Sequence, residues 1–224
     1  MKIPVLLALA TMSTVSVASE NLYFSGMVGV NSGDAVSGEG NTENYKNFGN
    51  ETGWSGAVAL GYKFNNAMRL ELEYAHKEND STDTRMGLTG FATDSLGTLK
   101  DDLSIDALMI NAIYDFDINS RFIPFIKAGM GISKNAYSAT FDVPDLEDFI
   151  GTGSFNYDKE TNSEFSWNIA IGSSYLLSKQ WRIFAQYQLN NIGEVSTKKD
   201  AFGDRFIDSS YTFQELSLGI RYEF

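Results

Sequence analysis

Residues 214–224 read QELSLGIRYEF, with Leu216, Leu218, Ile220, Tyr222 and Phe224 alternating against Ser217, Gly219, Arg221 and Glu223. Successive side chains of a β-strand point to opposite faces, so this stretch is a ribbon with one greasy side and one polar side. It closes on an aromatic residue, whereas the last positions of soluble domains usually fray. An apolar outer face ending in interfacial aromatics is what a membrane-spanning β-barrel requires of a strand. The other strands are expected to close onto this one.

Seven further segments alternate in the same way: residues 22–30, 54–64, 68–76, 106–116, 122–133, 165–176 and 181–190. The third shows the pattern clearly, Met68, Leu70, Leu72 and Tyr74 against Arg69, Glu71, Glu73 and Ala75. The fourth has the least legible register. Pro124 falls at a strand start, where proline is tolerated. The links are long and short in turn. Asn65-Asn66, residues 117–120 and Ser178-Lys179 make tight turns. Residues 31–53, 77–102, 134–164 and 191–211 are expected to be long polar loops. An even strand number with short turns on the side of both termini is the arrangement of an outer-membrane barrel. The reading is all-β: an eight-stranded antiparallel up-and-down transmembrane β-barrel.

The gap positions carry Lys63, Arg69, Glu71, Glu73, Lys127, Arg182, Glu215 and Arg221. Such residues suit an enclosed polar lumen and not the fatty cavity of a soluble barrel. Buried charges are tolerable when paired, and Arg69, Lys127, Arg182 and Arg221 are expected to pair with Glu71, Glu73 and Glu215. A functional version of this network is a narrow pore or gate. The bland version, a plug, is favoured because eight strands leave room only for side chains. Trp54, Tyr62, Phe64, Tyr114, Trp167, Trp181, Tyr222 and Phe224 fall near strand ends and read as an aromatic girdle.

The amino terminus supports export. Met1-Lys2, an apolar run over residues 3–10 and the small residues Ser16-Val17-Ala18 form a secretory signal cleaved before Ser19, so residues 1–18 are signal peptide and residues 19–224 the barrel. No stretch approaches the roughly 20 apolar residues of a membrane helix, a test that barrel strands evade. Residues 20–26, ENLYFSG, look like a protease-tag site but carry Ser25 where a tag needs Gln, so they are read as native strand. The chain has 224 residues, a formal charge of -12, 20 glycines, 3 prolines and no cysteine. That mixture suits strands and turns, excludes a disulfide framework and argues against nucleic acid as a partner.

Taken together, NLYFSGMVGV at 21–30, LGYKFNNAMRLELEY at 60–74, NAIYDF at 111–116, FIPFIKAGMG at 122–131 and LSLGIRYEF at 216–224 resemble the eight-stranded outer-membrane barrels of the OmpA-like and opacity-protein group. They are especially similar to the rickettsial major surface antigen family. Pro124-Phe125 stands where that family more often has Pro-Tyr. The resemblance implies a Gram-negative surface protein with variable, often antigenic or adhesive loops and no enzymatic activity. Its partners would be outer-membrane lipid, the barrel-assembly machinery and host surface molecules. Tyr222 and Phe224 would form the carboxy-terminal assembly signal.

Two further features have a functional and a bland reading. The four loops hold 21 acidic and 9 basic residues, a difference of -12, so the whole formal charge is expected outside the bilayer. Asp142, Asp145, Glu147 and Asp148 are the densest cluster, but with no glycine placed for a calcium-loop turn they read as a solvated acidic surface, and no metal or cofactor is expected. His76, the sole histidine, is expected to end the third strand near the outer rim. A lipid-modifying enzyme would need nucleophile partners that its neighbours Lys77 and Glu78 do not supply. The leading expectation is a surface antigen or adhesin, and the alternative is a small porin-like channel for ions or solutes.

Overall fold

The structure, a computed structural model, describes residues 21–38, 51–65, 67–87, 96–142, 154–196 and 208–224. Eight strands form one closed antiparallel barrel in sequence order. They are β1 (Leu22–Gly38), β2 (Glu51–Lys63), β3 (Met68–Gly87), β4 (Leu96–Asp115), β5 (Phe122–Asp142), β6 (Ser154–Leu176), β7 (Trp181–Ser196) and β8 (Asp208–Glu223). Closure runs through β1 and β8, whose pairing ends with the Phe224 amide donating to the Leu22 carbonyl at 3.1 Å. No strand in the closed wall is left without a neighbour, which a lipid environment demands.

Register fixes the barrel's geometry. Partners followed round the wall from Tyr23 run through Gly61, Glu71, Asn111, Gly129, Asn168, Asn190 and Phe213 and return to β1 at Gly33, ten residues on. Eight strands with that stagger tilt roughly 40° from the axis and enclose a backbone radius of about 8 Å. Each residue then climbs about 2.5 Å, so about ten residues cross an apolar band of roughly 25 Å.

Alternation decides the faces. Leu218 is 65% exposed and Val28 67%, while the adjacent Ser217 is fully buried. A greasy exterior around a polar interior inverts the soluble-protein rule and matches lipid as the outer solvent. On β3, β4 and β5 the band ends at Tyr74, Leu108 and Ile132, and the next outward positions are His76, Asp106 and Lys134, which are paired across the strands.

The short turns are locally specified. The Asn65 side chain accepts from the Ala67 and Met68 amides at 2.8 Å each, and Asp117 accepts from Asn119 at 2.9 Å. Asn119 sits at φ 53, a left-handed conformation asparagine tolerates. Ser178 accepts from the Trp181 amide at 3.2 Å.

The strands run well past the expected ends, which corrects the loop boundaries. β3 to β6 span 20, 20, 21 and 23 residues, and β5 and β6 stay paired up to Asp142 and Ser154. Above the band a strand no longer needs an apolar outer face. Backbone pairing continues while the alternation that marks it in the sequence disappears. The segments read as loops 31–53, 77–102, 134–164 and 191–211 are therefore in large part strand.

Candidate functional site

The lumen is built from alternate positions of all eight strands, and its lower third, nearest the short turns, holds the densest chemistry. Arg69 grips Asp115 with two parallel bonds, Nε to Oδ2 at 2.7 Å and Nη2 to Oδ1 at 2.8 Å. This fork geometry is the strong form of an arginine–carboxylate pair. Its Nη1 reaches Glu71 at 3.3 Å and the Tyr23 hydroxyl oxygen at 3.1 Å, while that hydroxyl donates to Glu71 at 2.7 Å. Guanidinium carbons of Arg69 and Arg221 lie 5.5 and 5.2 Å from the Tyr23 ring centre, within cation–π range. Glu223 collects Lys63 at 2.5 Å, Arg182 at 2.7 Å and Arg221 at 3.2 Å. Neither arginine Nε–H is aimed at the carboxylate, so those two contacts are ionic without a hydrogen bond.

Higher up the charges come in pairs. Lys127 meets Glu73 at 3.1 Å with both side chains buried. Above them Lys77 pairs with Glu215, which also accepts from Ser217 at 2.6 Å. Between these pairs sit asparagines: Asn168 donates to Asn111 at 3.0 Å over Gly129, where no Cβ would fit. Toward the end away from the short turns the interior turns apolar, with Leu103, Ile105, Ile192, Tyr211 and Phe213 all buried. There β7 bulges inward, and the Ile192 carbonyl accepts from Ser133 and Asn135 at 2.9 Å each.

All eight lumen residues named from the sequence point inward: Lys63 and Arg182 are half-buried at the lower rim, and Arg69, Glu71, Glu73, Lys127, Glu215 and Arg221 are buried. The pairing differs from expectation at two places. Arg182 and Arg221 engage Glu223, and Glu215 belongs to Lys77, which the sequence reading left in an extracellular loop. The loop charge count is corrected with it. Around Met27, Arg69, Glu71, Glu73 and Lys127 lies a cavity of about 20 Å³, room for about one water.

On the outer face, Tyr62, Phe64, Tyr114, Trp181, Tyr222 and Phe224 gather at the short-turn end, and Trp54 and Trp167 lie near the other border. Trp181 and Tyr222 pack with ring centres 4.8 Å apart. His76 is not at a strand end but on the outer face midway along β3. Its Nδ1 lies 2.9 Å from Asp106 and its Nε2 3.4 Å from Glu78. Both ring nitrogens thus face carboxylates, and the hydroxyl beside them, that of Tyr74, donates to Asp106 at 2.6 Å. Among the described residues no serine or threonine hydroxyl meets the ring, so a nucleophile–base pair is not assembled there. The cluster Asp142, Asp145, Glu147 and Asp148 lies, beyond Asp142, outside the described residues. Among the described residues no group of carboxylates and histidine is arranged to hold a metal.

Residues 5–224 match the outer membrane protein beta-barrel domain. The chain belongs to that family. Its members' name gives this protein its place: it is an outer-membrane β-barrel protein. Outer membrane protein PagN of Salmonella typhimurium is 27% identical over 180 residues, 76% of this chain and 73% of PagN. Neisserial surface protein A superposes with a TM-score of 0.51 at 19% identity, covering 92% of this chain and 98% of its own. The protease OmpT of Escherichia coli gives 0.54 at 10%, covering 95% and 99%. At these identities the two structures share the fold alone, and one barrel fold hosts both a surface protein and a protease.

For this outer-membrane barrel, sequence reasoning left Tyr23, Lys77, Asp115 and Glu223 out of the lumen network. Tyr23 and Glu223 alternate with the right parity on strands already recognised, so the signal was present. Asp115 lay on the strand of uncertain register. Lys77 stood beyond the last apolar position of β3, where alternation no longer marks which way a side chain points.

Proposed function

We propose that this outer-membrane protein is a non-enzymatic surface antigen or adhesin, a rigid barrel that presents acidic connections to host molecules. The observation carrying this reading is the filled lumen, whose cations and carboxylates are engaged with one another around a void of about 20 Å³. Chemistry for contact is then left to the connections between β1 and β2, β3 and β4, β5 and β6, and β7 and β8, where acidic residues taken together outnumber basic ones. A partner held by these charges is basic, and its binding weakens as salt rises. Removal of residues 1–18 before Ser19 yields the mature barrel, and Tyr222 and Phe224 address it to the assembly machinery. The strand-end motifs favour kinship with the rickettsial major surface antigens within the family.

The test compares host-cell binding by bacteria displaying the protein or a variant with Asp142, Asp145, Glu147 and Asp148 changed to their amides. Expected is a several-fold loss of adherent cells with the barrel still shifting on gels after boiling. Equal adherence would remove the loop-based reading. Protease shaving of whole cells should cut in the four connections and spare the short turns. A small channel is the second reading, favoured by the polar lumen, and conductance measurements separate the two.

A further inference from the structure

The lower rim of the lumen sets like charges side by side. Arg182 on β7 lies directly across from Arg221 on β8, and Lys63 on β2 directly across from Arg69 on β3. Like charges placed opposite one another destabilise a sheet. Arg69 is relieved by Asp115 and Glu71. Lys63, Arg182 and Arg221 instead share the carboxylate of Glu223, and three cations on one carboxylate leave a local surplus of two positive charges. Donors are left over with the charge. The Nε–H groups of Arg182 and Arg221 are buried and make no hydrogen bond, and Arg221 as a whole is only 3% exposed. A buried charged donor without a partner is costly, so two of them on adjacent strands call for an external acceptor. The Arg221 guanidinium is steadied by the Tyr23 ring 5.2 Å away, while the Lys63 and Arg182 side chains stay 23% and 15% exposed and keep the cluster within reach of the short-turn end. In outer-membrane barrels that end faces the periplasm.

We propose that this rim is a binding site for soluble phosphate, as the inorganic ion or a phosphate monoester, entering from the short-turn side. Arginine and lysine are the side chains that recognise such groups, the first through directed N–H donors and the second as a point charge. Tetrahedrally arranged oxygens accept from the Arg182 and Arg221 Nε–H groups and from the Lys63 ammonium at once, three directions that the two oxygens of a planar carboxylate serve less fully. A phosphate monoester carries about -1.5 to -2 at pH 7, which matches the surplus left around Glu223. The three cations point into the lumen, whereas the outer wall at this level is aromatic, with Tyr62, Trp181 and Tyr222. A lipid phosphodiester held on that outer wall does not reach them, so the source is a soluble one. The inference is independent of what the long connections bind.

The full chain, refolded in neutral-detergent micelles, is titrated calorimetrically with inorganic phosphate at pH 7. Saturable binding is expected, at least about tenfold tighter than that of acetate or chloride at matched ionic strength. Arg182→Gln and Lys63→Gln, both at the half-buried rim, should each weaken phosphate binding about tenfold or more, while Lys179→Gln, an exposed cation of the turn between β6 and β7, leaves it unchanged. Doping the micelles with phosphatidylglycerol should not alter the phosphate titration. Titration without saturation, equal binding of acetate or chloride, the same loss in Lys179→Gln, undiminished binding by an Arg182→Gln protein of normal gel mobility, or competition by phosphatidylglycerol would overturn the proposal.

Discussion

The Lys127–Glu73 pair offers a direct measure of how the lumen is held together. At 3.1 Å and an effective dielectric constant of about 20, the attraction between the two charges is about 5 kcal/mol. Desolvation of both groups offsets much of that, so the pair as a whole contributes little against an apolar replacement. Removing one partner is different. Lys127→Met strands the Glu73 carboxylate beside the Ala57, Ala75, Ala107 and Met109 cluster, with a cost of about 3–5 kcal/mol. The double variant Lys127→Met with Glu73→Leu should return to within about 1 kcal/mol of the parent, and with Glu73→Leu alone costing as much as Lys127→Met the coupling is about 5 kcal/mol or more. Urea titration in lipid vesicles, with folded and unfolded bands separated on unboiled gels, reads all four proteins of the cycle. A single variant costing under about 1 kcal/mol, or a double no better than the single, would refute a lumen stabilised by mutual pairing.

Gly131→Ala should prevent normal folding or cost more than about 3 kcal/mol, since its Cβ would lie 2.0 Å from the Leu108 carbonyl oxygen, a backbone atom that cannot swing aside; gel mobility before and after boiling reports it. In planar bilayers the full chain should show no stable unitary conductance, because ion pairs occupy the lower lumen and the cavity between them has room for about one water; steps that survive deletion of the long connections would favour the channel. Phe224→Ala should lower the yield of membrane-assembled protein in cells while leaving the urea midpoint of purified barrel nearly unchanged, because the ring is 47% exposed to lipid and contacts Tyr222 and not the interior. His76→Ala should leave lipid turnover by membranes carrying the protein unchanged, and a drop would restore the enzyme reading.

The strand count and closure were legible because lipid imposes a binary pattern on every wall segment inside the bilayer. Leu216 to Phe224 and Met68 to Ala75 show it without exception, one face apolar and the other open to charge. The pattern fails where its cause stops. Residues 77–87 and 154–164 continue as strands above the band, where water accepts any side chain on the outside. It also fails on β4, since Leu103, Ile105, Ala107, Met109 and Ile113 are apolar and inward while Leu108, Ile110 and Tyr114 are apolar and outward. An interior need not be polar if it is packed, and the upper lumen is closed by aromatic and aliphatic side chains that no rule of polar-inside would have placed there. Partner choice was likewise hidden, because register across strands as distant as β1, β3 and β8 decides which carboxylate meets which arginine.

Charge bookkeeping across the wall separates what the fold needs from what it leaves free. Among the described residues the ion-paired lumen network holds six cations, Lys63, Arg69, Lys77, Lys127, Arg182 and Arg221, against five carboxylates, Glu71, Glu73, Asp115, Glu215 and Glu223. It is therefore nearly neutral, as burial requires. The full chain carries -12, so the remainder carries about one unit more than that, and none of it is needed to balance the interior. Excess acid on the outside raises self-repulsion and lends nothing to the barrel's packing. On the reading proposed above, a basic partner is the one that this exterior field would attract.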